Sequence, residues 1–326
     1  MSAQVGGNVN CKEGVAHGVA TCSPRHRSRW SRRSVTEAVR VVNRPAQRCC
    51  NLLRPTVRPE YREEDPADGR DLQSLEGATV TPVVVHGFAG DLNTWLLTTE
   101  KLSEGRTTYA VDPPGHGASG KDVSSFDEPV SALCSLLDAL GVGRVHLVGH
   151  SMGGPCAARR RAPVRPGGIA DADRQRWPGR RHQRHLRVGF IEAGRRRELK
   201  GVLQLLFADP DLVTRRLVDD VLRYKRKDGV DAALRALAAE LCPEGGQALD
   251  LRPDLERLAI PVLVIRGVDD WVVPASHAQG LPDHVEVHVL DGQGHSPHME
   301  AANDVNRLTG ASSPHTIDRR YPRGSR

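Results

Sequence analysis

A serine framed by glycines, with an aspartate and a histidine far downstream, is the set of residues whose types and order could perform nucleophilic chemistry. Ser151 sits in LVGHSMGG, residues 147–154, between Gly149 and Gly153 and directly after the apolar run Val145, Leu147 and Val148. A strand-to-helix turn sharp enough to expose a serine needs small neighbours two positions either side, because side chains there collide as the backbone doubles back. In a chain with 32 glycines the competing reading is an ordinary glycine turn. A hydroxyl is a weak nucleophile until a base accepts its proton, and the base needs an orienting acid. Asp270 follows the apolar run PVLVI, and His295 follows VEVHVL in the loop DGQGHS. Ser151, Asp270 and His295 thus each stand just past a predicted strand, which singles this histidine out among 14 and places Asp269 second as the acid.

An oxyanion formed by attack of Ser151 on a carbonyl needs donors already aimed at it. The backbone amides of Met152, at the start of the following helix, and of Phe88, in HGFAG, are the natural pair. The side chains of Met152, Phe88 and Trp95 could line an acyl pocket, with core packing an equally ordinary role. His86, His116 and His298 read as loop-shaping groups. Without a carboxylate cluster no metal site is expected, and no cofactor is called for.

The elements that must position these residues follow in order. Pro82–Val85 reads as a buried parallel strand ending in HGFAG, and Thr107–Val111 as a second strand ending at Asp112. Asp91, Asn93 or Thr94 could cap a helix anchored by Trp95, Leu96 and Leu102. Val130, Leu133, Leu136, Leu137 and Leu140 keep a helical period that stops at Gly141, and VGRVHLVGHS then delivers Ser151. This rhythm is that of a doubly wound, mostly parallel α/β sheet, with ligands beyond the carboxyl ends of its strands. Apolar stripes at Leu217, Val221 and Tyr224 and at Val230, Leu234, Leu237 and Leu241 predict a helical cap over 190–250. Two strands follow, PVLVI and VEVHVL, and a last helix over Glu300–Leu308.

Composition marks where this rhythm fails. Hydrophobic residues are 38% of 326 and the formal charge is +6, drawn largely from arginine runs such as SPRHRSRWSRR and RQRWPGRRHQRHLR. Residues 1–78 show little period beyond VTEAVRVV and read as a disordered or non-native basic segment. Basic runs meet phosphate, but Trp30 is the lone aromatic in its run and no nucleic-acid-binding module spacing accompanies it. Residues 155–188 offer no apolar helix face and no strand, so the sheet is expected to be incomplete after the nucleophile helix. Residues 309–326 read as a frayed tail. No stretch approaches 18 consecutive apolar residues and no secretory signal opens the chain, while seven cysteines show neither disulfide nor zinc spacing. A cytoplasmic protein acting on a small-molecule acyl substrate, off the membrane, is expected.

Together VHGFAGDLNTW, DPPGHGASG, LVGHSMGG, IRGVDDWVVP and GQGH resemble the α/β-hydrolase superfamily. More narrowly, HGFAGDLNTWL, GRTTYAVDPPGHGASGKD and RRELKGVLQLLFADPDLVTRRLVDDVLRYKR resemble the hydrolase-like C-terminal domain of the acetoin dehydrogenase E2 component, a dihydrolipoamide acetyltransferase. The resemblance spans roughly 80–154 and 190–308. It implies Ser151, Asp270 and His295 as a triad, the Phe88 and Met152 amides as an oxyanion hole, acyl transfer to or from a thiol ester, and association with dehydrogenase-complex subunits.

Departures from that family shape the expectation. Residues 1–78 show no lipoyl hairpin with a lysine beside an acid, and the family's first two strands leave no recognisable trace. Family-like sequence stops at Gly154 and resumes near 190, with an Arg-, Pro- and Gly-rich replacement of similar length between. That pattern is the one expected of translation out of the ancestral frame, in this interval, the N-terminal segment and the tail from Thr309. The expected function is therefore a serine hydrolase of esters or thioesters with impaired activity, against an E2-like acyltransferase, a hydrolase of carbon–carbon bonds and a catalytically silent relic.

Overall fold

The computed structural model describes residues 39–43, 80–141, 145–159, 165–166, 186, 188–241, 251–258 and 260–311. Its organising element is a run of β-branched residues. In β2 (Thr81–Val85) every residue after Thr81 is buried, as a strand sandwiched on both faces requires. β3 (Thr107–Val111) and β4 (Val145–Gly149) flank β2 in parallel, with Val83 opposite both Tyr109 and Leu147. Between them run a 3-10 turn over Leu92–Trp95, helix α1 (Leu96–Leu102) and helix α2 (Asp127–Leu140). Asp91 caps the 3-10 turn through the Asn93 amide, and Gly141 ends α2 in the left-handed conformation at φ 60°. The apolar stripe of α2 buries Leu133, Leu136 and Leu137 against Val83, Val85 and Leu147.

After β4, helix α3 (Gly153–Ala158) leads to β5, the dipeptide Arg165–Pro166, which pairs with His146 and Leu147. β6 (Val262–Gly267) and β7 (Val285–Leu290) form their own parallel pair over six positions. The described sheet is thus a five-stranded group in the order β1-β3-β2-β4-β5 and a two-stranded group β6-β7. Among the described residues only β5 lies between the halves, touching β6 on its far side. Helices α4 (Arg196–Gln204), α5 (Arg215–Lys225) and α6 (Val230–Leu241) fall in the expected cap, followed by α7 (Arg252–Arg257). Leu199, Val202, Leu203, Val218, Leu222 and Leu234 join the cap to Val272 and Val273 in one apolar cluster. Two helices close the described chain, α8 (Pro297–Glu300) and α9 (Ala302–Ala311).

Three boundaries differ from expectation. Within 1–78, Val39–Asn43 form an edge strand, β1, antiparallel to β3, so one strand ahead of β2 is present. Three valines in five residues favour extended backbone, but so short a run shows no period. The rest of 1–78 lies outside the described residues, as do 160–164, 167–185 and 312–326. The interruption also begins later than Pro155, because α3 buries Pro155, Cys156, Ala157 and Ala158. Proline fits the first helical turn, where its missing N–H has no intrahelical acceptor. Finally, α9 carries Thr309 as a buried residue whose hydroxyl donates to the Val305 carbonyl at 2.7 Å, so the helix passes the expected end at Leu308. A helical hydroxyl bonded back to residue i−4 explains how a polar residue continues the apolar face.

Candidate active site

The carboxyl end of β4 turns sharply into α3, and Ser151 stands on that turn with φ 49°. A left-handed conformation is costly for any residue with a Cβ, so the surrounding contacts must impose it. They do so by close backbone approach. A Cβ on Gly149 would stand 2.3 Å from the Gly153 carbonyl oxygen, and one on Gly153 would stand 2.3 Å from that of Val85. The His150 amide donates to the Val85 carbonyl at 2.9 Å, tying the turn to β2. The glycine spacing in LVGHSMGG therefore has a steric cause.

β6 and β7 bring the other two residues together. Asp270 and His295 are buried, and His295 Nδ1 lies 2.9 Å and 3.1 Å from the two carboxylate oxygens. Asp270 Oδ1 also accepts the Val272 and Val273 amides, each at 2.8 Å, so the carboxylate is fixed before it meets the imidazole. With Nδ1 donating to Asp270, Nε2 is left as the basic nitrogen. Asp269 does not share this place: it is half-buried, and its amide donates to the Gln293 carbonyl at 2.9 Å.

Ser151 and His295 line one cavity of about 110 Å³, together with Phe88, His150 and His298. Leu186, Phe190, Leu203 and Phe207 from the cap region and Val272 and Met299 beyond it supply apolar wall. Phe88 is thus a pocket residue, whereas the side chains of Met152 and Trp95 are buried in core clusters and are absent from the described lining. The reason is direction: Met152 opens a helix packed on β2 and β4, and Trp95 faces the opposite sheet surface among Val84, Ala110 and Val148. The role proposed for Met152 needs only its backbone.

Three supports were not assigned from sequence. Asp112 is buried beside His86, with His86 Nε2 3.2 Å from Oδ1, and accepts the Leu92 and Ala118 amides at 2.8 Å and 2.9 Å. Burial pushes its carboxyl up, but His86 and the two amides outweigh this and hold it below the usual range. This carboxylate joins HGFAG to DPPGHGASG; an acid at the end of the strand before a glycine loop was its signal. Glu300 accepts the Gly294 and Ser296 amides at 3.0 Å and 3.1 Å, and the Ala208 amide at 2.7 Å. One carboxylate thus holds the His295 loop to the cap. His150, beside Ser151 in sequence, donates from Nε2 to the His295 carbonyl at 2.8 Å.

Burial, with the neighbouring histidines adding to it, holds His150 well below the ordinary range and pushes His298 down to about 3. His116, likewise pushed down to about 3 by burial and His86, has Nδ1 3.2 Å from the Pro114 carbonyl oxygen. His86 and His116 hold loops as expected, while His298 reaches the cavity. Among the described residues no group of three or more His, Cys, Asp or Glu could hold a metal ion, and no helix is long and apolar enough to cross a membrane.

Strand-delivered Ser, Asp and His on a parallel sheet beneath a helical cap define a recognisable class. The chain belongs to the alpha/beta hydrolase family, which it matches over residues 83–308. It is 41% identical over 238 residues to the dihydrolipoyllysine-residue acetyltransferase component of the acetoin cleaving system of Pseudomonas putida, covering 72% of this chain and 63% of that protein. The corresponding component from Cupriavidus necator is 37% identical over 268 residues, 76% of this chain and 69% of that protein. The chain therefore spans about two thirds of the length of these relatives. Among solved structures, a meta-cleavage product hydrolase from Pseudomonas fluorescens IP01 shares the fold with a TM-score of 0.62 at 22% identity, over 75% of this chain and 93% of that one.

Proposed function

We propose that the chain is a serine acyl hydrolase acting on a short ester or thioester. Ser151 Oγ attacks the acyl carbon as His295 Nε2 takes its proton, and Asp270 holds the imidazole in the required tautomer. The Phe88 and Met152 amides receive the negative charge that develops on the carbonyl oxygen. Collapse expels the alcohol or thiol, protonated by His295, and leaves an acyl-Ser151 ester. Water, deprotonated by His295, then releases the acid and regenerates the hydroxyl. The observation carrying this reading is a serine at φ 49° sharing a cavity with a histidine whose Nδ1 is held by a buried, amide-fixed aspartate.

Fluorophosphonate labelling and p-nitrophenyl acetate turnover test it, with Ser151→Ala as control. Labelling and turnover that vanish in the variant support the reading; turnover unchanged in Ser151→Ala overturns it. The narrow contact between the sheet halves at β5 favours a low rate. The names of the two acetoin-system relatives favour a second reading, in which the acyl group passes to a thiol. Transfer from an acyl donor to dihydrolipoamide that outpaces transfer to water would select it, with dehydrogenase-complex subunits as partners.

A further inference from the structure

His298 stands apart from the other histidines around the site. His86 faces Asp112, His116 faces a carbonyl, His150 donates to the His295 carbonyl, and His295 donates to Asp270. His298 is 1% exposed, and neither ring nitrogen has a hydrogen-bond partner among the described residues. Burying a polar group without a partner costs its lost hydration, so native structures leave few such groups unless a ligand or a function employs them. Nor is the ring loosely held. Trp95 and His150 both pack against it at a tilt, with centroids 4.4 Å away in each case.

The chemistry of its surroundings narrows what it could bind. His298 lines the cavity that holds Ser151 and His295, and no lysine or arginine is among the described lining residues. Burial pushes its imidazole down to about 3, with His295 and His86 adding to the effect, so the ring is neutral and offers one donor and one acceptor. A carboxylate there would be buried without a cation, which is strongly unfavourable. An uncharged oxygen would satisfy the ring at no such cost. The cavity's 110 Å³ is small beside the roughly 300–1,000 Å³ of pockets for drug-sized ligands, which limits the chain length.

We infer that His298 is a substrate-binding residue that selects a short, uncharged acyl group bearing a hydroxyl or carbonyl oxygen, which one of its ring nitrogens hydrogen-bonds. This rests on the acyl-hydrolase reading for the identity of the ligand as a substrate, but not for its binding. The test compares p-nitrophenyl butyrate with its 2-hydroxy and 3-hydroxy analogues, and with the mono-p-nitrophenyl ester of succinate, on the full chain. One net hydrogen bond predicts a kcat/KM about five- to tenfold higher for one hydroxy ester than for butyrate, and the lowest value for the charged ester. In His298→Phe the hydroxy-to-butyrate ratio falls to about one, and in His298→Gln, which keeps a donor and an acceptor, part of the preference returns.

A second arm needs no turnover. Butyramide and its 2- and 3-hydroxy analogues are titrated against Ser151→Ala by NMR shift perturbation, and one hydroxy amide binds about five- to tenfold tighter. Equal binding of the matched amides overturns the inference, as does a preference that survives His298→Phe. Loss of all serine-dependent turnover with the amide preference intact would defeat the hydrolase reading alone.

Discussion

Toward its own half of the sheet β4 pairs with β2 from Thr81 to Val85, whereas toward the half that carries Asp270 and His295 it meets, among the described residues, only Arg165 and Pro166. In the nucleophile half, β4 is buried along its whole length and β2 from Pro82 onward. The acid–base half is a two-stranded ribbon whose outer strand leaves Val287 and Val289 exposed. Pairs of strands alone are marginal in water, so the second half depends on helices α7 to α9 and on whatever joins it to the first. At the active site that joint is made of side chains. His150, from the end of β4, donates to the His295 carbonyl and packs at a tilt against the His295 and His298 rings, with centroids 4.9 Å and 4.4 Å away. The proposed catalytic geometry therefore depends on side-chain contacts where the described sheet narrows to two residues.

Acid should attack this joint first. His150 and His298 are held neutral at the seam, and His116 within the first half. An unfolded histidine titrates near 6.5, so between that value and about 3 the unfolded chain binds more protons than the folded one. Their stabilising contribution is nearly complete at pH 7 and is lost as pH falls, by about 2 kcal/mol for the three together between pH 7 and 6, the slope approaching about 4 kcal/mol per pH unit well below 6.5. Asp112, with its lowered folded value, loses its contribution only as pH falls further, through that value. Urea titrations at pH 7, 6 and 5 should show this slope, and a flat profile would remove the histidine seam from the account. His298→Phe should reduce the slope by about a third.

Hydrogen exchange compares the halves directly. At about 1 kcal/mol per ladder bond, the shorter β4–β5 contact lets β6 and β7 open at a free energy about 3 kcal/mol below that of β2 and β3. Amides of Val264 and Ile265 should thus exchange before those of Val83 and Val84. Uniform protection would show that the halves open as one unit. The coding DNA sharpens the same comparison: an out-of-frame origin predicts an apolar helix and strand in another reading frame across the interrupted interval. Restoring that frame should equalise the protection, and finding no such element there would discard the origin.

Strong periods were legible from sequence, and single contacts were not. Pro82–Val85 and the Gly141 helix end were readable because burial on both faces and a left-handed cap leave compositional marks. The elbow glycines were readable because the turn excludes a Cβ at both positions. Asp270 could be preferred to Asp269 only weakly, since neighbours in a loop differ by a backbone rotation that no period records. β1 was missed because five residues at an edge show no alternation, and Thr309 because a back-bonded hydroxyl can sit in an apolar face. Trp95 and Met152 were placed correctly in the chain but not by face, because apolar residues suit core and pocket equally.

Glu300 gives the finest test of how the acid–base half is held. It lies outside the cavity lining, yet it receives the amides on both sides of His295 and that of Ala208 beside the pocket residue Phe207. Gly294 comes so close to this segment that a Cβ there would stand 2.6 Å from the Ala208 nitrogen, so the loop and the cap edge move together or not at all. Glu300→Ala leaves three amide donors without this acceptor, at a cost of about 2 kcal/mol after water partly replaces it. Misplacing His295 by a fraction of an ångström should lower kcat by about ten- to a hundredfold while the chain remains folded. Glu300→Gln keeps one carbonyl acceptor and should recover part of kcat with a smaller loss of melting temperature. A loss confined to melting temperature, with kcat unchanged in both variants, would show that the loop carrying His295 is positioned by the seam with His150 and not by the cap.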